Sequence, residues 1–306
     1  MKKIIISLIF SLISFCSLFS QNDLGPALSS QLFSRINFNP AGMGNDRDIN
    51  IFNMNRMQWA GFEGGPQYSI LNIHYFNDRM NSGFGGAFSY DQLGIANRAL
   101  NAKLAYSYSI DLSEKALISF GASGGVLRKG NDFSLLSGHI YDKADISIIP
   151  QVAESKMNPD FDFGVEFSTP TLLIGASINH LGMMDPATIL TPTQTYYGYV
   201  RGMFPVSQDI VLAPSVLYMN SGLINVIDIN TVAFFNEAFW GGLSLRLGAG
   251  LAAMAGLEWN FLRVGYSYEL SFGSATINNN THELMLSFKI NTERKAAPAP
   301  DKKKKR

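Results

Sequence analysis

From Asn50 to Ile290 the chain alternates between apolar and polar side chains in short runs. In RALNAKLAYSYSI, Leu100, Ala102, Leu104, Tyr106, Tyr108 and Ile110 share one parity, and Asn101, Lys103, Ser107 and Ser109 share the other. FLRVGYSYEL sets Leu262, Val264, Tyr266, Tyr268 and Leu270 against Arg263, Gly265, Ser267 and Glu269. HELMLSFKI sets Leu284, Leu286, Phe288 and Ile290 against Ser287 and Lys289. Period two puts successive side chains on opposite faces of a strand. The pattern predicts fourteen strands, centred on Phe52, Ile70, Phe84, Tyr106, Phe120, Val165, Ile174, Tyr199, Leu212, Ile229, Leu243, Met254, Tyr266 and Leu286. The breaks between them are of two kinds. NDRMN, DLSEK, STP, FPVSQD, NEA and WN are compact turns, whereas WAGFEGGP, DQLGIAN, Arg128 to Pro159 and LGMMDPATILTP are longer, and SFGSATINNNT closes that side.

Composition decides what the apolar faces meet. The chain is 46% hydrophobic and 16% charged, with 22 Phe, 12 Tyr and 28 Gly. A soluble sandwich would hide its apolar faces against each other and cover the outside with charge, and too few charges are present for that. Strands that show one face to lipid must pair every backbone group, so they close on themselves. Short turns on one side, longer loops on the other and an even strand number are the layout of an outer-membrane barrel with both ends in the periplasm. The expected fold is all-β, a transmembrane outer-membrane β-barrel of about 14 antiparallel strands, in the cell outer membrane. Tyr75, Phe76, Tyr90, Tyr218, Trp240 and Trp259, near strand ends, suit the aromatic girdles at the two interfaces.

The ends divide the chain further. Residues 1–20, MKKIIISLIFSLISFCSLFS, read as a signal peptide cleaved between Ser20 and Gln21. Cys16, the single cysteine, lies inside it and follows the bulky Phe15, unlike a lipoprotein site, so no disulfide or thiolate chemistry is expected beyond it. Residues 21–48 are expected to form a periplasmic or plug segment, 49–291 the barrel and 292–306 a basic disordered tail. From Asn291 onward seven Lys/Arg stand against two Asp/Glu, a net +5. Without the signal peptide and this tail, 15 basic and 22 acidic residues remain, a net −7. The tail reads most simply as a solubilising arm. Its Lys302, Lys303, Lys304, Lys305 and Arg306 are the candidate partner contacts, and nucleic acid is not an expected partner.

Catalytic signals are weak. GASGG (Gly121 to Gly125) has the letters of a nucleophile elbow, but that motif needs a strand-to-helix turn and Ser123 lies within a strand pattern. His74, His139, His180 and His282 are scattered, and no Asp or Glu is spaced convincingly beside His74 or His180. Asp142, Asp145 and Glu154 lack EF-hand spacing. No enzyme activity, metal or cofactor is expected.

One block carries a resemblance. Asn39, Pro40 and Ala41 in FNPAGMG, followed by Arg56, Gln58, Trp59, Gly61, Phe62, Gly64 and Pro66, resemble the PorP/SprF family of Bacteroidota outer-membrane proteins. The segments LGIANRALNAKLAYSYSI and PDFDFGVEF are similar to it as well; Met57, Glu63 and the doubled glycine before Pro66 are departures. The resemblance implies a barrel of the type IX secretion and gliding machinery that assists secretion and surface attachment of adhesins with a C-terminal targeting domain. It also implies contact with periplasmic or outer-membrane subunits of that machine and with outer-membrane lipid. The motif residues are expected to act structurally, with glycines shaping a tight first hairpin and Trp59 and Phe62 covering the wall or mouth. FNPAGM also resembles the N-terminal plug of FadL-type barrels, which implies import of hydrophobic small molecules as the alternative.

Overall fold

The computed structural model describes residues 28–44, 49–132, 153–182, 190–222, 224–236, 238–272 and 280–290. The expected signal peptide and basic tail lie outside these residues. The strands are β1 Ile49–Met57, β2 Gln67–Asn77, β3 Ser82–Leu93, β4 Asn97–Ser113, β5 Ala116–Asn131, β6 Glu154–Ser168 and β7 Leu172–Asn179. They continue as β8 Thr195–Gly202, β9 Ile210–Ser221, β10 Ile224–Phe235, β11 Phe239–Arg246, β12 Gly250–Trp259, β13 Leu262–Ser271 and β14 Asn280–Ile290. A two-residue pairing at Phe204–Pro205 extends β8 past Met203, so the wall has fourteen strands. Each expected strand centre falls in a different one of them.

Every strand pairs antiparallel with its neighbours in sequence, and β14 closes on β1 from Ile49↔Ile290 to Met57↔His282. Closure removes the free edges that lipid would leave unpaired. No helix among the described residues is long and apolar enough to cross a membrane; the crossing is made by strands.

Parity sorts the side chains as the alternation requires. Leu100, Leu104, Tyr106 and Tyr108 of β4 face out, and Asn101, Lys103, Ser107 and Ser109 face the lumen. Leu104 is 77% exposed, Trp259 75% and Met157 65%. Keeping such side chains in water would forfeit roughly 1.5–3 kcal/mol each, whereas lipid takes them without loss. Three of the short turns, at 78–81, 236–238 and 260–261, place Asn81, Asn236 and Asn260 at φ between 47° and 52°. Asparagine enters this left-handed region more readily than most residues.

Two expectations about the wall need correction. The long loop does not run from Arg128 to Pro159, because Arg128–Asn131 pair with Glu154–Met157 and extend the β5–β6 ladder. Phe76 and Trp240 are not girdle residues. Both have lumen parity and are 1% and 3% exposed, with Trp240 lying over Gly256 and Gly265 of the next strands.

Candidate functional site

The lumen is occupied by the chain's own N-terminal segment. Leu28–Gly44 crosses it as two short 3-10 turns, Gln31–Phe33 and Pro40–Met43, and most of its side chains are buried. Pro40 stands in the first turn of the second, where its missing N–H leaves no gap. Asn39 caps that turn: its Oδ1 accepts from the Ala41 N–H at 2.9 Å, while its Nδ2 donates to Tyr199 OH at 2.9 Å and to the Val165 carbonyl at 3.1 Å. The wall yields space here. A Cβ on Gly164 would overlap Asn39 Oδ1, and one on Gly121 would overlap the Pro40–Ala41 backbone. Phe38 packs edge-on against Tyr199 at 5.4 Å, and Phe33 tilts against Trp240 at 4.7 Å.

Three charged clusters fix this segment and the surrounding wall. Arg35 Nε donates to Glu166 Oε2 at 2.8 Å, and Tyr199 OH donates to the same carboxylate. Arg56, 2% exposed, spans β13 and β14: it bonds both oxygens of Glu269 at 3.0 Å and also reaches Glu283. Arg246 bonds Glu269 at 3.0 and 3.1 Å and Asp228 at 3.3 Å. The Ser29 N–H donates to Glu283 at 3.0 Å, so the network also holds the plug. With the Gln58 amide turned so that its oxygen faces Arg56, that oxygen accepts at 2.9 and 3.2 Å. Charges buried this deeply need such pairing.

The third cluster joins Ser123, Asp160, Asp162, His180, Asn101 and Lys103. Lys103 Nζ lies 2.8 Å from Asp160 and 2.7 Å from Asp162, Ser123 Oγ donates to Asp162 at 2.6 Å, and His180 Nδ1 is 3.0 Å from Asp160. This corrects the expectation that no acid accompanies His180. The grouping does not make a hydrolytic triad: in a triad the serine hydroxyl donates to the imidazole, whereas Ser123 Oγ donates to Asp162 and the His180 ring meets Asp160. Asp160, Asp162 and His180 have the spacing of a metal site, but the lysine ammonium already supplies the cation between the carboxylates.

Above the plug opens a cup of about 1020 Å³ at the end with the longer connections. Gln31 and Asn37 of the plug line it, with Tyr68, Tyr197, His180 and Thr195 on the wall. Of the first-loop residues, Trp59 (φ 54°), Gly61 (φ 92°) and Gly64 (φ 78°) turn the chain, and Gln58 N–H donates to the Pro66 carbonyl at 2.8 Å. Trp59 and the exposed Phe62 meet edge-on at 6.3 Å. The structure thus brings Arg56, Gln58 and Pro66 to the cup, sets Asn39, Pro40 and Ala41 in the lumen, and leaves Gly61 and Phe62 on the loop. Sequence reasoning missed Arg35, Glu166, Asp228, Arg246, Glu269 and Glu283. Their signal was parity: each charge on a wall strand shares the lumen face of its strand.

These features define a class, an outer-membrane β-barrel whose lumen is plugged by its own N-terminal segment. A family model described as type IX secretion system membrane protein PorP/SprF matches residues 21–288, and the chain belongs to that family. No curated protein matches it. Among solved structures it is similar in fold to the CymD monoaromatic hydrocarbon channel, with TM-score 0.52, 12% identity, and coverage of 89% of this chain and 95% of that one. The TodX deltaS2S3 mutant monoaromatic hydrocarbon channel gives TM-score 0.51 and 11% identity over 87% and 95%. The Ralstonia pickettii toluene transporter TbuX gives 0.49 and 10% over 88% and 95%.

Proposed function

We propose that this barrel is a non-enzymatic docking component of the type IX secretion and gliding machinery that assists secretion and surface attachment of adhesin-type cargo. The family match over residues 21–288 carries the reading. The plug supports it: a lumen crossed by buried side chains and three ion clusters suits a platform better than a conduit. The cargo is an adhesin with a C-terminal targeting domain, held at the cup end. The opposite end, with residues 302–306, contacts periplasmic or outer-membrane machine subunits. Contact through a basic arm of this kind weakens with salt. The organism is of the Bacteroidota, and residues 1–20 are its export signal.

The test is a gene knockout followed by surface labelling of the adhesin. Loss of display, restored by the full chain, is the expected result; deleting residues 302–306 lowers co-purification of machine subunits without changing the amount of barrel. Intact display with impaired uptake of a hydrophobic compound would replace this reading by FadL-like import.

A further inference from the structure

The outward face of β1 carries two asparagines whose cross-strand neighbours are leucines except for Ser69. Asn53 and Asn55 have lipid parity: Asn53 stands opposite Leu71 and Leu286, and Asn55 opposite Ser69 and Leu284. Successive outward residues of a tilted strand lie roughly 5 Å apart in height. Ile49 and Ile51 precede Asn53, and Met57 follows Asn55, so both amides fall inside an apolar band of roughly 25 Å. Other outward Asn and Gln of the described strands, such as Gln67, Gln92, Asn220, Asn225 and Asn280, sit in terminal rows near a water interface.

The three side chains bond one another only in part. Asn55 Nδ2 donates to Asn53 Oδ1 at 2.9 Å, Ser69 Oγ donates to Asn55 Oδ1 at 2.8 Å, and Asn53 Nδ2 donates to the Ile70 carbonyl at 2.9 Å. Each amide nitrogen carries two hydrogens and each amide oxygen two lone pairs. One N–H and one acceptor site therefore remain on each asparagine, facing hydrocarbon that offers neither. This surplus is balanced, donor for acceptor, so the surface is complementary to itself. A two-fold axis along the membrane normal inserts both copies in the same sense and brings equal heights together, Asn53 to Asn53. The outward row of β1 has no aromatic residue, while β2, β3 and β14 present Tyr75, Phe88, Tyr90 and Phe288, so two β1 strands can approach closely.

We infer that the outer face of β1–β2 is a self-association surface, on which two copies of this chain pack β1 to β1 in the membrane and complete the hydrogen bonding of Asn53, Asn55 and Ser69. The inference is independent of the secretion reading.

Cysteine cross-linking tests it in native outer membranes, in a Cys16→Ser background of the full chain. Oxidation of Asn53→Cys is expected to give a band at twice the chain's mass, and Ile229→Cys, outward on β10, to give none. A link from position 53 to a protein of another mass, or no link, overturns the inference. A second variant, Asn53→Leu with Asn55→Leu, is expected to lower the dimer fraction on the order of tenfold while the monomer stays folded. An unchanged dimer fraction overturns the inference, and if that variant fails to fold the cross-linking result decides alone.

Discussion

Arg56 joins two glutamates, a glutamine and, through Glu283, the backbone of Ser29. Truncating it takes the guanidinium from buried Glu283 and leaves on that carboxylate, among the described residues, the Ser29 N–H and the Ser30 hydroxyl. Arg56→Ala should destabilise the barrel by about 3–5 kcal/mol, the cost of orphaning one partner of a buried pair. The check is the temperature at which the folded band disappears on semi-native gels. Arg56→Lys should recover only part of the loss, because an ammonium lacks the planar fork that reaches both oxygens of Glu269. Gln58, two residues on, serves the same guanidinium. Its carboxamide oxygen meets the remaining N–H groups, which accounts for the Arg-x-Gln spacing at a strand end.

At the scale of elements, strand positions were legible because period two survives across fourteen segments, and parity correctly split lipid from lumen in β4, β13 and β14. Less legible was how each aromatic is used. Trp240 turns inward because Gly256 and Gly265 clear a space beside it, and that requires the register of β11, β12 and β13. The ion clusters were hidden for the same reason, since Arg56 and Glu283 meet only when β1 closes on β14. The plug was foreshadowed by FNPAGM, but its docking depends on gaps such as Gly121 and Gly164 that carry no local signature. Deleting residues 28–44 should leave a barrel of this width filled with water. In planar bilayers the deletion variant is expected to show stepwise ion conductance well above that of the full chain. Equal conductance would mean that the segment does not obstruct the lumen.

Over the whole molecule, a closed antiparallel wall with an apolar outside should behave as a unit. Unheated protein in detergent is expected to migrate ahead of the heated form, with a circular dichroism spectrum free of helix; a monodisperse protein without detergent would contradict the barrel. The plug adds a constraint on time. It is made first, since Leu28–Gly44 precedes every strand, yet Ser29 anchors to Glu269 and Glu283 on the last two. Its partners are separated from it by 240 and 254 residues, so no partly built wall offers the complete berth. Loop-closure entropy opposes such distant pairings until the intervening chain is ordered. The N-terminal segment therefore registers completion: it settles only when the final hairpin has joined the first strand, and a barrel that stalls open keeps its first residues undocked, exposed to proteases that patrol the space beneath the membrane.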